Sequence, residues 1–140
     1  MEYMREKIKK HFEEHDRYAA HNGIRLLEIR EGYALAEMSI EPFHLNGAGI
    51  VHGAAVFTLG DLAFAAASNS RGSVAVGINV SISYMKAAVA GLLRAEAVEE
   101  MTSNRLGQYT VRITDDAGEL MALMSGMVYR KKESLLPSEA

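Results

Sequence analysis

Asn46–Ser70 reads NGAGIVHGAAVFTLGDLAFAAASNS, a glycine-rich loop that passes into a long apolar run. Ala54–Asn69 is apolar on nearly every side, and a helix apolar all round belongs in an interior. Arg71-Gly72-Ser73 supplies the turn that ends it. Upstream, Met4, Ile8 and Phe12 recur at i, i+4 and i+8 among charged residues, which predicts an amphipathic helix. A second helical turn, Asp16–His21, is expected to stop at Asn22-Gly23, where the glycine offers a left-handed cap. From Gly23 the period is two. Ile24, Leu26 and Glu28 oppose Leu27 and Ile29, Glu31-Gly32 makes a turn, and Tyr33–Ile40 returns with Ala34, Ala36, Met38 and Ile40 on one face.

Downstream of the apolar run the chain is strand-like. In Val74–Met85, Ile78, Val80, Ile82 and Tyr84 face one way, and Asn79, Ser81 and Ser83 the other. Leu92–Met101, Leu106–Asp115 and Leu120–Arg130 follow, with turn residues at Thr102–Arg105 and a short hairpin signal at Asp116-Ala117-Gly118. This order predicts an α+β domain: a curved antiparallel β-sheet wrapped around one long apolar helix, with an extra N-terminal helix. Such a sheet has edges that pairing with a second copy would cover.

With 140 residues the chain is long enough for one domain, and neither a linker nor a repeat divides it. The expected organisation is a helical segment over 1–22, a core over 23–131 and a tail over 132–140. Eighteen acidic residues against fifteen basic leave a formal charge of −3, with no cationic excess to neutralise a phosphate backbone, so no nucleic-acid partner is expected. The absence of Cys excludes disulfides, thiolate metal sites and a Cys nucleophile, and fits a reducing compartment. The first residues lack the apolar core of a secretory signal. The run AAVFTLGDLAFAAA is too short to span a bilayer and carries Asp61 at its centre. No membrane partner is expected, and the cytoplasm is the expected location.

Asp61 is the residue that demands explanation. A carboxylate inside an apolar run must be solvated, paired or used, because burying an unpaired charge is costly. Its helical neighbours at 57, 58, 64 and 65 are Phe, Thr, Phe and Ala, so nothing on its own helix pairs it. Either a distant Arg or a solvent gap receives it, or it works as a general base or nucleophile. Gly53 stands where loop becomes helix, so its N–H is an unpaired donor at a positive helix end and can stabilise an oxyanion. Asn46 can donate its amide to a carbonyl oxygen or hold the NGAG turn, and His52 can brace the loop, contact a ligand or cap the helix. His11, His15, His21 and His44 show no metal-ligand spacing, so no metal is expected. No nucleophile elbow, P-loop or dinucleotide fingerprint occurs. If residues 53–61 form one helix, eight steps of ~1.5 Å put Gly53 and Asp61 roughly 12 Å apart. One chain then cannot bring both to one carbonyl, whereas two antiparallel helices about a two-fold axis can.

The window Asn46, Gly47, Gly49, His52, Gly53, followed by Phe57, Leu59, Asp61, Ala63, Phe64 and then Ala67, Asn69, Ser70, resembles the hotdog-fold acyl-CoA thioesterases, and among them the phenylacetate-degradation branch. The resemblance implies hydrolysis of an acyl-CoA to a carboxylic acid and CoA, with no cofactor beyond the CoA of the substrate. It implies that Asp61 activates water or attacks the carbonyl, that the Gly53 N–H polarises that carbonyl with help from Asn46, and that His52 supports the loop. It also implies a homo-oligomer, a dimer or a dimer of dimers. Two positions depart from the pattern. Ala54 stands where a second glycine is common, and Gly77 stands where some relatives carry a water-orienting Ser or Thr. Asn79, expected on the same strand face as Gly77, is a candidate for that role. Lys86 and Arg105 are candidates for the CoA phosphates, and Phe57 and Phe64 for the acyl group, although surface charge and core packing are the plainer readings of these four. The alternatives are a hydratase-like enzyme, which needs another acid/base pair, and a non-catalytic acyl-CoA-binding module.

Overall fold

The computed structural model describes residues 2–138; of the expected tail, residues 139 and 140 lie outside the described residues. Helix α1 spans Glu2–His15 and α2 spans Arg17–His21. Strands β1 (Ile24–Arg30) and β2 (Tyr33–Ser39) follow, then a 3-10 turn at Pro42–His44 and helix α3 (Gly53–Ser68). Strands β3 (Ser73–Tyr84), β4 (Leu92–Thr102), β5 (Leu106–Asp115) and β6 (Leu120–Ser134) complete the chain. All pairings are antiparallel and the sheet order is β1-β2-β4-β5-β6-β3, so β1 and β3 are its edges. One long apolar helix lies against this single sheet, with α1 and α2 as additions: the hotdog architecture.

Local chemistry explains the elements. Ile8 of α1 is buried and Phe12 packs beside the core, so two residues of the stripe read from the sequence anchor the helix, while Met4 is exposed. The Asp16 side chain caps α2 by accepting from Ala19 N at 3.1 Å, and Gly23 takes the left-handed φ of 73° that the exit requires. Strand β1 departs from simple alternation. A bulge between Leu26 and Glu28 exposes Leu27 and returns Ile29 to the buried face of Ile24 and Leu26, instead of opposing them. Strand β2 keeps Ala34, Ala36 and Met38 fully buried; Ile40 lies one residue beyond its end and packs on the core. Strand β6 continues past Arg130 to Ser134, because its partner β3 remains paired out to Ser73.

The core lies between α3 and the sheet. Small residues Ala63, Ala66 and Ala67 face the strands, which lets helix and sheet approach closely. Phe64 is 2% exposed, its ring edge-on to Tyr109 at 5.8 Å. A Cβ built at Gly126 would come within 2.7 Å of that ring, so β6 needs glycine there. The C-terminal end of α3 is tied down by polar groups: Arg130 Nη1 donates to Ser68 O at 2.8 Å, and Asn69 Nδ2 to Ala65 O at 2.8 Å. Asn69 Oδ1 accepts from Ala75 N at 2.9 Å and Ser70 Oγ from Gly32 N at 2.8 Å. The Asn69-Ser70 pair is thus a helix stop wired into β1–β2 and β3. Nearby, Arg71 forks onto Glu99 with two 2.7 Å bonds, and that guanidinium holds the Glu99 carboxyl below its ordinary pKa.

Candidate active site

Helix α3 is not covered on all sides in the single chain, as its composition would suggest. Ala54 and Asp61 are exposed, and Phe57, Thr58 and Ala65 are half-buried, which traces one open stripe at i, i+3, i+4, i+7 and i+11. Asp61 sits in the middle of that stripe. No hydrogen bond or ion pair reaches its carboxylate among the described residues. Although one side meets solvent, the protein packed around the carboxylate raises its pKa above the ordinary aspartate value by desolvation, and the negative charge of Asp16 adds to the rise.

The loop before α3 is a small hairpin. Leu45 and Val51 form an antiparallel bridge, Asn46 N donates to Ile50 O at 2.8 Å, and His52 N donates to His44 O at 2.7 Å. Asn46 Oδ1 closes the tip by accepting from Ala48 N at 2.9 Å and Ile50 N at 3.3 Å. Those two donors fix which end of the amide is oxygen, so the Asn46 NH2 is left as a donor. Gly47 and Gly49 occupy the same tip, Gly49 with a φ of 78°. His52 is the N-cap of α3: its Nδ1 accepts from Ala54 N at 3.1 Å. Gly53 is the first helical residue, and its N–H has no hydrogen-bond partner among the described residues.

The structure brings Asn46, Gly53 and Lys86 together on one cavity of about 350 Å³, with Tyr84, Met85, Leu93 and Met121 as its other main walls. Lys86 pairs with Glu119 at the edge of that cavity. His52 lies on the other side of the helix start, in a smaller recess of about 160 Å³ with Tyr18, His44 and Thr58. Asp61 borders neither space. It is on the same uninterrupted helix as Gly53, about 12 Å along the axis. Arg105 stands at the far end of β4 and β5, donating to Arg130 O at 3.4 Å, whereas Leu93 and Lys86 mark the near end. Within one chain, Arg105 and Lys86 do not converge. Phe57 is on the open stripe, and Phe64 is inside the core.

One expectation is corrected. A bulge between Gly77 and Asn79 breaks the alternation of β3. Gly77 faces the helix, since a Cβ built there would meet Phe64 at 3.2 Å and Val80 at 3.9 Å. Asn79 precedes Val80, which packs on the core, and therefore points to the opposite side. The two do not share a face, and Asn79 does not stand in for a side chain at position 77.

Two contacts around the site are invisible to sequence pattern. Tyr84 Oη donates to Gly53 O at 3.0 Å, although nothing in the strand alternation sets Tyr84 apart from its neighbours. Asp16 reads as a helix start, and only the packing of α2 on α3 places its charge within reach of Asp61.

Comparison with known proteins bears on the family of the chain. The thioesterase superfamily model matches residues 48–122. A protein of Archaeoglobus fulgidus is 43% identical over 136 residues, covering 96% of this chain and 88% of its own. The acyl-coenzyme A thioesterase PaaI of Escherichia coli is 33% identical over 118 residues, covering 84% of each chain. The solved structure of the E. coli PaaI protein from the phenylacetic acid degradation operon superposes with a TM-score of 0.91 at 29% identity, over 94% of this chain and 96% of that one. A structure of a variant of the phenylacetic acid degradation protein PaaI of Thermus thermophilus gives 0.79 at 32% identity, over 82% and 99%. The family model, these relatives and the superposition together place the chain in the thioesterase superfamily, as a hotdog-fold thioesterase of the PaaI type.

Proposed function

We propose that the protein hydrolyses an acyl-CoA thioester to a carboxylic acid and CoA in a site built by two copies of the chain. The observation that carries this reading is the separation on α3: a Gly53 N–H at the helix start and an Asp61 carboxylate about 12 Å further on, both unpaired among the described residues. A reacting carbonyl needs donor and base each within about 3.5 Å. Laying two α3 helices antiparallel along their open stripes sets each Asp61 beside the other helix's start. The same pairing covers the second unsatisfied feature of the single chain, the long edge strand β3 with exposed Ile78 (53%) and Tyr84 (53%).

In that arrangement the Gly53 N–H and the Asn46 NH2 bind the thioester oxygen, and they strengthen their hold as negative charge grows there. Asp61 of the other copy takes a proton from water as the water oxygen attacks the carbonyl carbon. The tetrahedral intermediate collapses, the C–S bond breaks, and the CoA thiolate leaves to be protonated. The pKa of Asp61, raised by the protein packed around it, makes its carboxylate a stronger proton acceptor for that water. His52 fixes the first turn of α3. Lys86, on the cavity shared by Gly53 and Asn46, is suited to a CoA phosphate. Phe57 on the open stripe is suited to an acyl contact; Phe64 acts only as packing. The proposed reaction draws on no metal and no cofactor besides the CoA of the substrate, and it suits a soluble, cytoplasmic enzyme. Among the described residues no helix is long and apolar enough to cross a membrane.

The phenylacetic acid operon of the E. coli relative supports an aryl-acetyl-CoA such as phenylacetyl-CoA as the substrate class. A hydrolysis screen over short, long and aromatic acyl-CoAs, read as release of free thiol, tests both levels. Fastest release from aromatic substrates is expected. No release from any of them overturns the proposal.

A further inference from the structure

The hairpin from His44 to His52 is held in shape by its own bonds, but those bonds do not fix its attitude to the rest of the domain. On one arm, Val51 N donates to Ala88 O at 2.8 Å. On the other arm the anchor is a side chain. His44 is 2% exposed; its Nδ1 accepts from Glu41 N at 2.9 Å and its Nε2 lies 2.8 Å from Asn22 O. A backbone amide can only donate and a carbonyl can only accept, so the ring carries its proton on Nε2 and keeps Nδ1 bare. Asn22 is the C-cap of α2, so this ring bolts the N-terminal helical segment to the hairpin. The main chain of the same residue carries the link onward: His44 O accepts from His52 N, and the next N–H along the chain is that of Gly53.

The geometry points to His44 as a positioning residue for hydrolysis, setting the direction of the Gly53 N–H and the Asn46 amide through the hairpin. It borders the small recess on the far side of the helix start and not the cavity of Asn46 and Gly53, so it acts through them. This inference rests on the thioesterase reading of the site. Misplacing a donor weakens its hold on the developing oxyanion while the pocket walls stay intact, so the loss falls on kcat more than on KM.

Three variants separate the two bonds. His44→Asn keeps an acceptor near the Nδ1 position, His44→Gln keeps a donor able to reach Asn22 O, and His44→Leu removes both. With the acyl-CoA that wild type cleaves fastest, His44→Leu is expected to lower kcat about ten-fold or more with KM little changed, and the Asn or Gln variant to recover part of that loss. In deuterium exchange, the amides of residues 45–53 should exchange faster in His44→Leu while those of β4 and β5 stay protected. Wild-type kcat in His44→Leu overturns the proposal. If that variant does not fold, wild-type kcat in both the Asn and Gln variants overturns it. If wild type releases thiol from no acyl-CoA, the thioesterase reading fails on its own. The exchange experiment then still decides the hold of His44 on the hairpin, with unchanged exchange over 45–53 overturning that hold and faster exchange upholding it.

Discussion

Tyr84 closes over Gly53: its hydroxyl donates to the Gly53 carbonyl at 3.0 Å, and a Cβ built at Gly53 would sit 3.2 Å from the phenol ring. The glycine proposed to hold the oxyanion is therefore also the only residue small enough to leave that ring in place. Gly53→Ala must push Tyr84 aside. The ring is half exposed and able to move, so folding survives. The lost hydrogen bond costs about 0.5–1.5 kcal/mol, and Ala, the better helix former, offsets part of that at this first helical position. Expected results are a melting temperature close to wild type and a kcat/KM at least ~10-fold lower, as the ring shifts in the cavity that Gly53 borders. Thermal unfolding beside steady-state kinetics checks both halves.

Asp61→Asn is expected to abolish thiol release while the oligomer persists, since the side chains are nearly isosteric. It should also leave the protein at least as stable at neutral pH. The sign follows from linkage: a carboxyl whose pKa is higher folded than unfolded binds its proton more tightly when folded. Ionisation then destabilises the fold as pH rises from the unfolded pKa through the folded one. Removing the ionisable group removes that penalty. Comparing wild type and variant from acid to neutral pH should show their stability difference growing upward; retained turnover in the variant would refute Asp61 as the base.

Asp16 offers a finer test. Its negative charge raises the Asp61 pKa, second to desolvation. Asn caps helices as well as Asp does, so Asp16→Asn preserves α2. The base must be ionised to work, so kcat/KM rises with pH through its pKa. Neutralising Asp16 is expected to move that acid limb to lower pH. A limb that stays put, or moves upward, contradicts the assignment.

The helix and the loop were legible in the sequence because their signals are local: a long, mostly apolar run, a capping residue, a glycine tip. Element order was legible too, since turn residues separate clear period-two segments. What escaped were one-residue insertions. The bulges at Leu26/Glu28 and Gly77/Asn79 leave composition unchanged but reassign Ile29 and Gly77 to other faces. Contacts made only by packing escaped as well, among them Tyr84 on Gly53 and Asp16 near Asp61. The Gly77/Asn79 bulge has a kinetic consequence: Asn79→Ala is expected to leave turnover unchanged, because the side chain points away from the helix-facing side of β3.

The proposed shared site makes the strongest demand on the molecule: Gly53 and Asp61, so far apart on one helix, can serve one carbonyl only where two chains meet. In a dimer of Asp61→Asn every site lacks its base, and in a dimer of Asn46→Ala every site lacks an amide donor. Mixing the two and allowing subunits to exchange creates hybrids in which one site takes both defects and the other takes neither. At random exchange about half of the dimers are such hybrids, each with one intact site, so recovery should approach about one quarter of wild-type activity. A single-chain site predicts otherwise: every protomer would still carry its own lesion, and mixing would add nothing. Mass spectrometry of intact dimers shows whether hybrids have formed, and absence of recovery in their presence would rule out the shared site.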